Sequence, residues 1–158
     1  MAEIVRIEGE GAYLSGEATQ NRKEVMYTRE AAEKACPEGW RLPTSQEFID
    51  LLKCKGAHVE DINGKIRLDA PYDLIVQFAG YGRATEYLED TKDGLKLPRA
   101  STEKTLKNYW VSDMKNGQPM GVNFFIPTDK EKAMAWVAPI SAGELKNPVK
   151  YCRCVKDN

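Results

Sequence analysis

The chain has 158 residues, of which 42% are hydrophobic and 30% are charged, a composition typical of one globular domain rather than of a disordered or fibrous protein. Its 23 Lys and Arg residues are interleaved with 24 Asp and Glu residues, so the basic stripe expected of a nucleic-acid-binding protein is absent. No apolar stretch approaches the roughly 20 residues that span a bilayer, and residues 1–11 carry acids where a signal peptide has its apolar core. We therefore expect no nucleic-acid partner, no membrane insertion and no signal peptide in this sequence.

A strand and two helices are predicted in the first part of the chain. Residues 4–7 alternate apolar and polar side chains, as in a half-buried strand. Thr28 can cap a first helix. Thr44 and Glu47 predict a second helix through a capping box, in which each side chain accepts from the other residue's backbone N–H. This helix is expected to end near Gly56. The apolar side chains that it buries are predicted to be Phe48, Leu51 and Leu52.

Strands dominate the prediction for the rest of the chain. The Asn-Gly pair at residues 63–64 tolerates positive φ and predicts a hairpin turn. Residues 80–107 show little periodicity and predict a long connection that is either functional or mobile. Helices early and strands late predict an α+β fold, in one domain that spans residues 1–158. The apolar runs that predict further strands are residues 74–78, 109–112, 122–126, 134–137 and 149–155.

Two segments carry a pattern more specific than this periodicity. Residues 35–44 read Ala-Cys-Pro-Glu-Gly-Trp-Arg-Leu-Pro-Thr between the two predicted helices, and residues 153–157 read Arg-Cys-Val-Lys-Asp. Together with Ala-Gly-Tyr at 79–81 and Tyr-Trp-Val-Ser at 109–112, they resemble the Fibrobacter succinogenes major paralogous domain family. The resemblance implies a C-type-lectin-like fold that is also similar to the formylglycine-generating-enzyme group. Such a fold has two helices packed on twisted antiparallel sheets, long loops on one side, and paired N- and C-terminal strands.

The first of these segments also has a physical interpretation. Gly39 gives the connection between the helices its backbone freedom, while Trp40 and Leu42 are predicted to be buried there. The chain departs from the family pattern at two positions. Val111 stands where the family usually has Ser, and Cys152 stands where it usually has an apolar residue.

The four cysteines allow three complete pairings on the sequence alone. The resemblance implies a disulfide between Cys36 and Cys154, because these two match the family's cysteines. For the other two there are alternatives: either Cys54 and Cys152 form a second bridge, or Cys152 is a small buried hydrophobe. Disulfides form in oxidising compartments. We therefore expect the protein to be extracellular or in the envelope of a bacterium, or on a phage that meets one.

Motifs for catalysis or for metal binding are missing from the sequence. His58 is the single histidine and no Gly-x-Ser-x-Gly surrounds a serine, so a loop or surface histidine is predicted. Cys152-x-Cys154 lacks the spacing of a zinc site, and neither an EF-hand nor a lectin calcium motif occurs. The remaining enzyme hypothesis is a divergent formylglycine-generating-type enzyme that uses Cys152 and Cys154 with copper. Residues i and i+2 of a closing strand face the core, however, where thiols are inert or bridged. We expect a non-enzymatic protein without cofactor or metal.

The expected function is recognition or adhesion, with a protein or a glycan as ligand. The resemblance implies that loops late in the chain, after the strand that contains Trp110, meet the ligand. The alternative is a structural module packed within a larger surface assembly. Exposed aromatic residues in 80–107 and 116–128 would favour binding, and packed ones would favour the structural module. Trp110 itself is predicted to be core, and the Asn-Gly pair at 116–117 can equally make a simple hairpin turn. The candidate contact residues are Asp113, Lys115, Asn116 and Gln118.

Overall fold

A computed structural model describes residues 2–4, 12–14, 25–62, 65–71, 81–83, 88–90, 96–98, 104–106, 108–125, 132–139 and 148–156. These residues form two helices and antiparallel strands, which confirms the α+β class. The helices are α1 (Arg29–Ala35) and α2 (Ser45–Cys54). The strands are β1 (Ala2–Ile4), β2 (Ala12–Leu14), β3 (Val25–Tyr27), β4 (Trp40–Arg41), β5 (His58–Ile62), β6 (Lys65–Pro71), β7 (Tyr81–Arg83), β8 (Leu88–Asp90), β9 (Lys96–Pro98), β10 (Lys104–Leu106), β11 (Tyr109–Lys115), β12 (Gln118–Phe125), β13 (Lys132–Pro139) and β14 (Cys152–Lys156).

The largest sheet has five strands in the order β11-β12-β13-β6-β5, and every neighbouring pair is antiparallel. The strands that flank the predicted turn at residues 63–64 pair with each other, with Ile62 of β5 opposite Lys65 of β6, while residues 63–64 themselves lie outside the described residues. A three-stranded sheet, β1-β14-β4, closes the ends of the chain together. In it Ile4 lies opposite Cys152, which confirms that the two ends of the chain pair; β1 shares only Ile4 with the predicted strand at 4–7, and residues 5–7 lie outside the described residues. The predicted strand at 74–78 lies outside the described residues.

The long connection predicted for residues 80–107 is wrong in part, because this region contains four short strands. β7 pairs with β10, and β8 pairs with β9 between them, which makes two nested antiparallel ladders. Each strand has only three residues. A strand of three residues is too short to display the period-2 alternation by which strands are identified in a sequence.

Two buried clusters lie on opposite faces of the five-stranded sheet. The α2 cluster lies between the sheet and α2, and Tyr109 is its centre: its ring centroid is 5.9 Å from that of Phe48 and 6.3 Å from that of Phe124. The α1 cluster lies under α1 on the other side of β11 and contains Trp110. α2 buries Phe48 and Leu52 as predicted. The prediction for Leu51 is wrong, because Leu51 is half-buried and Ile49 is buried instead.

Both helices begin as their sequences predict. The Thr28 hydroxyl accepts from the Ala31 N–H at 3.3 Å. The capping box of α2 is complete, since the Glu47 N–H donates to Thr44 Oγ1 at 3.1 Å and the Thr44 N–H donates to Glu47 Oε1 at 3.0 Å. Arg41 adds a two-pronged ion pair to the same carboxylate, with nitrogen to oxygen distances of 2.6 and 3.0 Å. The hydrogen bonds from Arg41, ahead of those from Thr44, lower the pKa of Glu47 from its usual 4.5 to about 2.

The connection between the helices is only partly buried. Gly39 adopts a φ of 82°, a conformation that favours glycine. Leu42 is buried in the α1 cluster as predicted. Trp40 is half-buried, which corrects the expectation of a buried side chain. Its backbone forms the edge strand β4, opposite Lys156, so its side chain lies at the margin of the domain and not in the core.

One disulfide joins Cys36, the C-cap residue of α1, to Cys154 in β14, with the two Cα atoms 5.9 Å apart. This confirms the pairing that the resemblance implies. Of the two alternatives for the other cysteines, the structure shows the second: Cys152 is a buried thiol of the α1 cluster, and Cys54 is an exposed thiol at the end of α2. Within the described part of the chain, no helix is both long and apolar enough to cross a membrane.

We expect Cys36→Ser to lower the free energy of unfolding by about 4 kcal/mol, because the bridge joins residues 118 positions apart and so restricts the unfolded chain strongly. Urea unfolding under non-reducing conditions measures this loss. Cys54→Ser is the matched control and should leave stability unchanged, since that thiol is exposed. Equal stability of the two variants would contradict a stabilising role for the bridge.

Glu47→Gln is expected to cost about 1 kcal/mol of stability at neutral pH, because it removes the charge that Arg41 and the capping box hold. The folded-state pKa is about 2, below the usual 4.5, so the carboxylate contributes fully above pH 4.5 and its contribution is lost as the pH falls towards 2. Urea unfolding of both proteins across this range should therefore show the difference shrinking. The exposed acid at Glu38 provides a control, and Glu38→Gln should leave stability at neutral pH nearly unchanged.

Candidate functional site

The predicted contact segment forms the tip of a tight β-hairpin between β11 and β12. Lys115 pairs with Gln118, so two residues make the turn. Asn116 and Gly117 have φ values of 52° and 77°, and two consecutive positive φ angles define the turn that best suits the twist of the flanking strands. The hairpin predicted from Asn-Gly is therefore confirmed. Its strands continue to the turn, which makes the tip an extension of the five-stranded sheet.

The side chains at this tip differ in exposure. Met114 is 55% exposed, and Lys115 and Asn116 are exposed beside it. Gln118 is half-buried. The structure thus brings three of the four predicted contact residues together at the tip, and adds an apolar side chain, Met114, that the prediction did not include.

Asp113, the fourth predicted contact, has a different position. Its carboxylate accepts from the Ser45 backbone N–H at 2.7 Å and from the Ser45 hydroxyl. Ser45 is the first residue of α2, where the helix dipole and the unpaired N–H groups favour a negative charge. Asp113 therefore anchors the hairpin to the helix, a role that the sequence prediction did not include. Its partner is 68 positions away in the sequence, so no local pattern could have indicated this role.

Arg29 is a second anchor that sequence reasoning missed. Its guanidinium donates to the Val111 carbonyl and, at 2.7 Å, to the Ser112 carbonyl. It also lies 5.9 Å from the centroid of the Trp110 ring. These contacts pair two carbonyl groups in the part of β11 where its register with β12 shifts, between Trp110 and Met114, just before the hairpin tip.

Trp110 is fully buried, as predicted for a core residue. Its indole Nε1–H donates to the Tyr27 carbonyl at 2.7 Å. The Lys150 ammonium lies 5.8 Å from the ring centroid, so the indole contacts a cationic side chain in addition to Arg29. The base of the hairpin is thus packed and hydrogen-bonded, whereas its tip is exposed.

The residues considered for catalysis in the sequence are His58, Cys152 and Cys154. His58 has a side chain that is 70% exposed, with Nε2 3.8 Å from a Glu60 oxygen. Among the described residues, no group of three His, Cys, Asp or Glu side chains could hold a metal ion. Cys154 is bonded to Cys36. In this state Cys152 and Cys154 do not form the pair of thiolates that a copper site of the formylglycine-generating type would use.

No protein-family model matches the chain, and no curated protein or solved structure matches it either. The assignment of a function therefore depends on the geometry of the chain's own residues.

Asp113→Ala is expected to destabilise the protein by about 2 kcal/mol, because it leaves the Ser45 N–H and hydroxyl at the start of α2 without their acceptor. Lys115→Ala, two residues along the same strand and exposed, is the matched control and should change stability by less than about 0.5 kcal/mol. Thermal unfolding followed by circular dichroism measures both. A loss of similar size in both variants would argue against the anchor.

Proposed function

We propose that this protein is a non-enzymatic recognition or adhesion module, which binds a protein or a glycan ligand through the tip of the β11–β12 hairpin. The observation that carries the proposal is the contrast between the two ends of this hairpin. The tip exposes Met114, Lys115 and Asn116, whereas the base is held by Asp113 and Arg29. Binding residues that sit on a rigid support lose little conformational freedom when a ligand binds.

The chemistry of the tip supports the same proposal. Met114 and Ile62 are the large hydrophobic side chains that are exposed within the described ranges. Methionine is flexible and polarisable, and it adapts to varied partner surfaces. The adjacent Lys115 and Asn116 add a charge and an amide that can donate hydrogen bonds. An apolar side chain surrounded by polar ones is the usual arrangement at the centre of a contact surface.

The paired terminal strands and the disulfide support the fold family and the location that we include in the proposal. Two helices, antiparallel sheets, paired terminal strands and long stretches between the paired strands agree with a C-type-lectin-like fold of the kind found in the Fibrobacter succinogenes major paralogous domain family. The bridge between Cys36 and Cys154 supports an oxidising location, either extracellular or in a bacterial envelope, or on a phage surface.

A structural module packed within a larger surface assembly is the second candidate, and one observation favours it. Phe124 is the aromatic residue of 116–128 whose side-chain burial the structure describes, and it is only 4% exposed. Packed aromatic residues in this region are what the structural alternative predicts. The two candidates differ in whether the hairpin tip binds a specific partner.

The test compares the protein with the double variant Met114→Ala/Lys115→Ala. Both are applied to a glycan array and to a bacterial envelope extract, with bound proteins identified by mass spectrometry. We expect the double variant to capture about tenfold less of the bound glycan or protein than the unmodified protein does. Its melting temperature should stay nearly unchanged, since both side chains are exposed.

The matched control is Gln46→Ala/Lys53→Ala, which removes two exposed side chains from α2 and should bind as the unmodified protein does. Equal capture by the hairpin variant and the unmodified protein would show that the tip is not the contact surface. Capture of nothing specific by any of these proteins would favour the structural module.

A further inference from the structure

A row of polar and aromatic side chains crosses the face of the five-stranded sheet that lies opposite α2. Val122 and Phe124 of β12 point into the α2 cluster, so Asn123 between them points to the other face. The strand register then places three more residues in line with Asn123 across neighbouring strands. Asn123 is opposite Trp136 in β13, Trp136 is opposite Arg67 in β6, and Arg67 is opposite Glu60 in β5. We call these four residues the Trp136 row.

The Trp136 row is accessible to solvent. Asn123 and Glu60 are exposed, and Trp136 and Arg67 are half-buried. Trp136 belongs to neither of the two buried clusters, although it lies in β13, the central strand of the sheet. The exposed part of this half-buried indole can stack on a ligand.

The polar groups on both sides of Trp136 are held in place by further contacts. On one side, the Lys150 ammonium donates to Asn123 Oδ1 at 2.5 Å. Lys150 is only 5% exposed, and its stem crosses β12 over Gly121, where a Cβ atom would approach Lys150 Cε to 2.8 Å. The absence of a side chain at residue 121 thus makes room for the lysine that orients the amide.

On the other side, Arg67 Nε donates to Asp69 Oδ1 at 3.2 Å. Asp69 lies two residues along β6 and therefore on the same face of the sheet. This bond engages one edge of the guanidinium and orients its terminal N–H groups. Both polar neighbours of Trp136 are thus positioned before any ligand arrives, as in a preorganised binding site.

The chemistry and size of the row define the ligand. The cations of Lys150 and Arg67 are balanced by the anions of Asp69 and Glu60, so the face complements a neutral molecule that can donate and accept hydrogen bonds. Neighbouring strands are about 4.8 Å apart, so Asn123 and Arg67 are separated by about 10 Å with the indole between them. That span matches one or two sugar rings. A protein partner usually covers about 800 Å² with 20 to 30 residues per side, far more than this row offers.

We propose that the Trp136 row is a binding site for a neutral saccharide, with the apolar face of a sugar ring stacked on Trp136. The Asn123 amide and the Arg67 guanidinium then bind the ring hydroxyls at its two edges. This site is separate from the hairpin tip, and it specifies a ligand class that the tip does not.

The experiment uses Trp136→Leu, which keeps an apolar side chain in β13 but removes the ring, and Trp136→Phe, which keeps a ring. The proteins are screened on an array of neutral and acidic glycans. Calorimetric titration follows with the best neutral ligand and with cellohexaose, maltohexaose and xylohexaose. We expect Trp136→Leu to bind about tenfold or more weakly than the unmodified protein and Trp136→Phe to keep part of the affinity, because stacking needs a ring face.

Arg67→Lys gives a second test that does not depend on how well β13 tolerates substitution. It keeps the positive charge but removes the planar guanidinium with its several N–H donors, so the affinity for saccharide should fall several-fold. The Gln46→Ala/Lys53→Ala variant alters exposed residues of α2, on the other face of the sheet, and should bind the saccharide as the unmodified protein does. Binding of no neutral glycan on the array, binding of acidic glycans alone, or unchanged affinity in both Trp136→Leu and Arg67→Lys would overturn the proposal.

Discussion

The outer edge of β11 is the place where the separate parts of the chain are joined. The backbone N–H groups of Trp110 and Ser112 donate to the carbonyls of Tyr151 and Pro43, at 3.0 and 2.8 Å. Arg29 donates to the carbonyls of Val111 and Ser112 in the same strand. A strand edge left unpaired inside a protein is costly, and one left open to solvent invites association with another strand. Here α1, the start of α2 and the C-terminal segment all bind this edge, so their relative positions depend on it.

Both proposed binding surfaces lie on the sheet whose edge strand is β11. The hairpin tip is the end of β11 and β12, and it is rigid because Asp113 is fixed to the start of α2. The Trp136 row lies on β12 and on the strands beyond it in the same sheet. Lys150 connects β3 to the Trp136 row, since its backbone pairs with Tyr27 while its ammonium donates to Asn123. The bridge between Cys36 and Cys154 then ties the end of α1 to β14, close to the same joint.

The features that could be predicted from the sequence are local. Thr28, the capping box of Thr44 and Glu47, and the Asn-Gly turn at residues 116–117 all act within three or four residues, and each is present in the structure. Such features depend on hydrogen bonds and backbone angles that neighbouring residues set by themselves. The α+β class could be predicted for a related reason, because the apolar periodicity of the long elements reports which side of each one is buried.

Only the tertiary structure determined which residues far apart in the sequence contact one another. The sequence placed Asp113 among the contacts, but its carboxylate binds Ser45 because the fold brings β11 against the start of α2. Cys54 and Cys152 are separated because Cys54 is exposed at the end of α2, whereas Cys152 is buried in the α1 cluster on the other side of β11. Trp136 lies between Asn123 and Arg67 through strand register, which pairs residues far apart in the chain. Local patterns determine where an element begins and which of its sides is apolar, whereas register and packing order depend on the summed contacts of the whole domain.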